Sequence, residues 1–238
     1  SKNNLLRTIY FDTTTNIVKE QGIFDYPTQL LYEADFSLKR GCNYKLYVFN
    51  PYTKKIVVGQ TSVVDTVNLI YPKRTIISPI LLSFPFKTSF YTSFSRAENA
   101  YYYDVTLLYY YTEVLSDNSK RQPKPIKINL GKVNGENFAP KYQTSEYQSY
   151  NFYTTLAKEI VDSIQVVKRH TDSLVIEITS AGQDLYKYML ASTPSNTINQ
   201  TIGTYTNLTA YNTDTKEDKY VLGVLSTRSI TRFHYDDL

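Results

Sequence analysis

A tyrosine-rich stretch over residues 90–115 constrains the fold of this chain more than any other feature. Within it, side chains alternate with a period of two, which is the repeat of a β-strand. One face is predicted to carry Tyr101, Tyr103, Val105, Leu107, Tyr109 and Tyr111, and the other Tyr102, Asp104, Thr106, Leu108, Tyr110 and Thr112. This is the longest strand signal in the sequence, and it predicts a mainly β fold.

The same tyrosines raise a question about binding, because the chain has 24 tyrosines, 11 phenylalanines and no tryptophan. Tyrosines on a strand face can stack on sugar rings or form an adhesive patch. They can equally pack the half-buried face of a sheet, where their β propensity favours them. We predict a ligand-binding role for four of them, with sheet packing as the alternative: Tyr101, Tyr103, Tyr109 and Tyr111.

Hairpins and regularly spaced turns indicate an immunoglobulin-like β-sandwich. Two strand signals over residues 44–64 flank a turn-forming segment, and a second long hairpin returns over residues 126–133. We place a domain boundary near Asp65. Residues 1–65 are then expected to form the immunoglobulin-like β-sandwich part, and residues 66–238 a β-rich α+β domain.

The periodicity becomes helical after residue 145. Ser145 and Gln148 have the spacing of a capping box. Apolar residues then recur at helical spacing, without glycine or proline, at Phe152, Leu156, Ile160, Ile164 and Val167. This pattern predicts one long amphipathic helix over residues 145–167. The smaller predicted elements are strands over residues 5–11, 29–36, 174–179, 220–225 and 229–233, a short helix over residues 183–190 and a polar loop over residues 211–219.

The composition argues against several kinds of chemistry. The single cysteine, Cys42, excludes an intrachain disulfide and a multi-cysteine metal site. The only histidines, His170 and His234, are far apart in sequence. No nucleotide-binding, metalloprotease or serine-hydrolase motif occurs. We therefore expect no metal, no cofactor and no enzymatic activity.

The charge pattern does not favour nucleic-acid binding. The 26 lysines and arginines are nearly balanced by 22 acidic residues, and the compact basic runs are residues 168–170 and 120–121. No stretch approaches the roughly 20 apolar residues of a transmembrane helix. The first four residues lack the apolar core of a signal peptide, as they would in a processed chain.

Acidic residues near the long strand leave a carbohydrate-active hydrolase as an alternative. Glu98, Asp104 and Glu113 lie on or beside that strand. A glycoside hydrolase needs two carboxyl groups about 5–9.5 Å apart, one of them with a raised pKa. Solvated carboxylates on a strand face are the competing interpretation.

Three short motifs resemble a family of uncharacterised exported lipoproteins of Bacteroidetes. Residues 41–48 followed by residues 57–64 are similar to its G-x-x-Y-x-L-x-V … A-x-T-x-V hairpin, residues 205–208 to Y-[ST]-N-[IL], and residues 223–227 to G-[ILV]-[FL]-x-[ST]. The chain departs from the family by lacking an N-terminal lipobox cysteine and by an insertion over residues 212–219. The resemblance implies an immunoglobulin-like N-terminal part, an outer-membrane or cell-surface location and no known reaction.

These observations predict a non-catalytic, exported protein with a binding or assembly role. The resemblance implies that its full-length form is attached to the membrane through a lipid anchor. The expected partner is a glycan or a surface protein. Besides the hydrolase, the remaining alternative is a pilus-type or adhesin subunit that polymerises by strand exchange. That alternative predicts an open groove or an exposed edge strand near the N-terminus.

Overall fold

The structure is a computed structural model that describes residues 7–17, 29–73, 89–134, 142–192, 205–215 and 218–236. Within these ranges the protein consists mainly of antiparallel strands with two α-helices, so the predicted mainly β fold is confirmed. The chain forms two compact units, Ser1–Lys39 and Arg40–Leu238. The domain boundary predicted near Asp65 differs from the boundary between these two units, and it stays a prediction.

The first unit contains a two-stranded antiparallel sheet. β1 (Asp12–Thr14) pairs with β2 (Leu31–Glu33). The strand predicted over residues 5–11 is wrong for residues 7–11, which are not in a strand, and residues 5 and 6 lie outside the described part. β1 instead occupies a polar, threonine-rich segment, because β-branched threonines favour extended backbone.

The second unit begins with the predicted hairpin over residues 44–64, which is confirmed. β3 (Asn43–Asn50) pairs in antiparallel register with β4 (Lys55–Ser62). Asn50 shapes the turn, because its side-chain oxygen accepts the backbone N–H groups of Tyr52 and Thr53 at 3.0 and 3.1 Å. The hairpin is therefore closed by local hydrogen bonds.

Two strands from the far end of the chain complete this sheet. β12 (Leu208–Asn212) pairs with β4, and β13 (Asp218–Tyr220) pairs with β12, which gives the order β13-β12-β4-β3. The polar loop predicted over residues 211–219 is therefore wrong for residues 211–212, which belong to β12, and for residues 218–219, which belong to β13. The strand predicted over residues 220–225 is limited to Tyr220, since residues 221–225 are not in a strand.

The motifs that carry the family resemblance lie against one another in this sheet. The side chain of Asn207 donates to the carbonyl of Leu225 at 2.7 Å and accepts the N–H of the same residue at 2.9 Å. Gly59 lies beneath Leu208 and Leu225, at a position where a Cβ atom would be 2.5 Å from a Leu208 methyl group. This Asn207 clasp joins segments that are distant in sequence, so the motifs have a structural role.

The long sheet is organised around β7. β7 (Ala100–Leu115) pairs along its length with β11 (Val166–Gly182), and β11 pairs with β14 (Arg228–Asp236). On its other edge, β7 pairs first with β9 (Ile126–Asn134) and then with β8 (Lys120–Arg121). The predicted second hairpin is confirmed, and β7 has neighbours on both edges.

The core lies between the long sheet and a three-stranded sheet. β10 (Tyr142–Gln148), β6 (Ser89–Ser95) and β5 (Leu69–Tyr71) form this second layer in the order β10-β6-β5. The core side chains of the two layers include Phe90, Phe94, Tyr103, Val105, Leu107, Ile128, Leu174, Ile176 and Ile178. Two sheets packed over one apolar core give this part of the protein a sandwich-like arrangement.

The long helix predicted over residues 145–167 is wrong. The structure has a shorter helix, α1 (Ser149–Glu159), whose Phe152 and Leu156 contact the core. Ser145 lies in β10 and donates to the carbonyl of Leu130 at 2.6 Å instead of capping a helix. Ile164, which shares the helical spacing of Phe152 and Leu156, is 101% exposed. Strand pairing outweighs the helical pattern at the N-terminal end, and at the other end the helix stops at Glu159, before β11 begins. The second helix, α2 (Gln183–Ser192), confirms the predicted short one.

Candidate functional site

The four tyrosines predicted to bind a ligand lie in packed positions. Tyr103 is 0% exposed, Tyr111 is buried, and Tyr109 is partly buried against the same core. The hydroxyl of Tyr103 accepts the backbone N–H of Ala97 at 3.0 Å. Burial raises the pKa of the Tyr103 and Tyr111 hydroxyls above the usual value. Ligand binding by these residues stays a prediction, and the structure gives them packing contacts.

Tyr101 does not share the face of the other three. Opposite Ala181 and Gly182, the β7–β11 register shifts so that Tyr101 is an extra residue between Ala100 and Tyr102. Such a bulge turns a side chain away from the regular alternation. Tyr101 packs instead with a small cluster around Tyr102, Ala181 and Tyr186 beside α2. Strict alternation in the sequence gives no sign of this shift.

The carboxylates considered for hydrolysis do not form a catalytic pair. Asp104 and Glu113 are nine residues apart on one extended strand, a separation of about 30 Å. Their odd spacing also places them on opposite faces of the sheet. Both facts conflict with the separation of about 5–9.5 Å that glycoside hydrolysis needs. Glu98 lies before β7 and is exposed.

Glu113 is instead the buried centre of an ion-pair network. It lies directly opposite Arg121 of β8 and Arg169 of β11, and both guanidinium groups donate to its carboxylate. The Nε atoms of Arg121 and Arg169 are 2.9 and 3.1 Å from the carboxylate oxygens. The hydrogen bonds from Arg121, and those from Arg169, lower the pKa of Glu113. Burial of the carboxylate acts in the opposite direction but does not outweigh them. A lowered pKa suits a structural carboxylate rather than a general acid.

The outer edge of β3, the edge that faces away from β4, is the feature that most resembles an interaction surface. The N–H of Val63 donates to the carbonyl of Cys42 at 3.2 Å, directly beyond the β3–β4 ladder. Cys42 and Val63 are therefore a hydrogen-bonded pair. Hydrogen-bonded and non-hydrogen-bonded pairs alternate in an antiparallel ladder, so the backbone groups of Lys45, Tyr47 and Phe49 point away from β4. Among the described strands, only β4 pairs with β3.

Five of the eight side chains of β3 are aromatic or aliphatic, and the exposed ones lie on both faces of the sheet. Tyr47 is 62% exposed, Val48 46% and Phe49 49%, within the described part of the chain. Lys45 is the only charged residue of the strand. Apart from Lys45, this eight-residue edge lacks the charges, prolines and bulges with which proteins usually block strand addition. Sequence reasoning predicted the strand but not its place at the edge, because that place depends on which strand pairs with β4.

Comparison with known proteins adds no relative. No family model, no curated protein and no solved structure matches the chain. None of the helices in the described ranges is long and apolar enough to span a membrane.

Proposed function

We propose that this is a non-catalytic, exported surface protein with an assembly role, and that the outer edge of β3 is its assembly surface. The observation that carries the proposal is the combination of outward backbone groups with exposed Tyr47, Val48 and Phe49. An extended segment that pairs with this edge gains a ladder of main-chain hydrogen bonds and buries these side chains. The pilus-type or adhesin alternative rests on the same feature.

A second copy of β3 is the partner that fits this edge. In an antiparallel two-fold pairing centred on Leu46, the outward residues face one another in hydrogen-bonding register. Lys45 then lies opposite Tyr47 of the second copy, and Asn43 lies opposite Phe49 of the second copy. Directly opposed like charges would destabilise a ladder, and this pairing contains none. The pairing therefore opposes no like charges directly and places the exposed Tyr47 and Phe49 within the contact.

The proposed location rests on the sequence motifs. The resemblance to exported lipoproteins of Bacteroidetes supports attachment to the outer membrane or cell surface through a lipid anchor. Assembly at a membrane surface also suits a weak edge-to-edge contact, because anchoring two copies to one surface raises their effective concentration.

Sedimentation velocity over a range of protein concentrations tests the assembly role. We expect the wild-type protein to pass from monomer to dimer as concentration rises. The double variant Tyr47→Lys with Phe49→Lys should remain monomeric, because paired lysines would meet across the two-fold interface. The matched control is Tyr52→Lys, since Tyr52 is 94% exposed but lies in the turn beyond β3.

Each outcome of this experiment is decisive. Dimers of wild type and of the Tyr52 variant, with a monomeric β3 variant, support the proposal. A wild-type protein that stays monomeric at the highest concentrations, or a dimer that survives both lysines in β3, contradicts it. Thermal unfolding of the three proteins checks that the substitutions act on association rather than on folding.

A further inference from the structure

A polar cleft lies at the end of the long sheet, on the face opposite the core. Its volume is about 560 Å³, and Thr112, Lys120, Gln122, His170 and Asp172 line it. These residues lie in two distant parts of the sequence, residues 112–122 at the end of β7 and around β8, and residues 170–172 in the first part of β11. The volume is within the range of about 300–1,000 Å³ that small-molecule sites occupy.

A bulge in β11 turns two of these side chains into the cleft. Leu174, Ile176 and Ile178 of β11 face the core. Regular alternation would also turn Asp172 and His170 toward that core. The register shift between Thr171 and Ser173 reverses the alternation, so that His170 pairs with Thr112 on the opposite face. Bulges of this kind often re-aim side chains beside binding sites.

The hydrogen-bonding groups of the cleft are both donors and acceptors. The hydroxyl of Thr112 donates to one carboxylate oxygen of Asp172 at 2.8 Å, which fixes this side chain and leaves its other oxygen to accept further hydrogen bonds. Within the described ranges, Lys120, Gln122 and His170 make no side-chain hydrogen bond to another residue, so their polar groups remain open to a ligand.

We propose that this cleft binds a neutral, hydroxyl-rich ligand, a saccharide. One ammonium group and one carboxylate nearly cancel in charge, so neither an anion nor a cation is favoured. Sugar hydroxyls both donate and accept, and they match a site with Asp172 as acceptor and Lys120 and Gln122 as donors.

Saturation-transfer NMR with a panel of neutral di- and trisaccharides tests this site, followed by calorimetric titration of those that bind. Asp172→Asn keeps an acceptor for Thr112 but turns an amide donor toward the ligand. We expect it to weaken binding about ten-fold or more. The matched control Asp162→Asn changes an exposed carboxylate outside the cleft and should leave affinity within about two-fold. Gln122→Ala, in the segment after β8, should weaken binding several-fold without affecting folding.

The proposal does not depend on assembly through β3, and its outcomes are separate. Binding of at least one saccharide that is weakened by both cleft variants and not by Asp162→Asn supports it. An absence of binding to every saccharide, equal binding by all variants, or preference for charged amino acids or inorganic phosphate over the saccharides overturns it.

Discussion

β7 and β3 are both rich in aromatic residues, yet they occupy opposite positions in their sheets. β7 has neighbours on both edges, and its Tyr103 and Tyr111 are buried. β3 pairs with β4 alone among the described strands, and its Tyr47 and Phe49 are exposed. The place of a strand in its sheet, rather than its composition, therefore decides whether a tyrosine is a core residue or a surface one.

The largest effect is expected from truncating a tyrosine on each strand. Tyr103→Ala should lower the free energy of unfolding by about 3–5 kcal/mol, because it leaves a cavity between the two layers and frees the N–H of Ala97. Tyr47→Ala should change it by less than about 0.5 kcal/mol. Urea unfolding of the monomeric proteins measures both values. Similar losses for the two variants would break the comparison between β7 and β3.

A smaller loss is expected at Glu113, where β7 is tied to both neighbours. Glu113→Gln should lower the free energy of unfolding by about 1–3 kcal/mol, because Arg121 and Arg169 lose the charge between them. Since the pKa of Glu113 is lowered in the folded protein, the stabilisation by its charge is fully present above the usual glutamate pKa of about 4.3. It is lost as the pH falls through the lower pKa of the folded state.

The pH dependence of unfolding provides the check on Glu113. Wild-type stability should fall on acidification below about pH 5, and the difference between wild type and Glu113→Gln should shrink over the same range. Urea midpoints measured from neutral to acidic pH report this difference. A difference that stays constant or grows as the pH falls would show that the charge of Glu113 does not stabilise the strand.

The smallest loss is expected in the Asn207 clasp, which supports the sheet that contains β3. Asn207→Ala removes both hydrogen bonds to Leu225 and should lower the free energy of unfolding by about 1–2 kcal/mol. Asn207→Asp keeps the acceptor but turns a carboxylate oxygen toward the carbonyl of Leu225, so it should also be less stable than wild type. If both variants unfold like wild type in urea, the clasp does not hold the sheet together.

The strands were largely predictable from the sequence, because alternation over residues 101–112 and the hairpin over residues 44–64 are local patterns. The boundaries of α1 were not predictable, since Ser145 fits a helix locally but pairs within β10, and Ile164 fits the same spacing but lies in the turn before β11. The bulges at Tyr101 and Asp172 also escape sequence reading, because each arises from a mismatch between two strands. For the same reason, neither the cleft nor the outer edge of β3 could be located before the pairing was known.

Residue-by-residue amide hydrogen exchange in β3, measured at low and high protein concentration, tests whether the outer edge of β3 is open in the monomer and closed by assembly. The amides of Leu46 and Val48 donate to β4, so they should be protected at every concentration. The amides of Lys45, Tyr47 and Phe49 should exchange rapidly in the dilute protein and become protected as copies pair. Protection of these three amides at the lowest concentration, or rapid exchange at the highest, would contradict an open edge that closes on assembly.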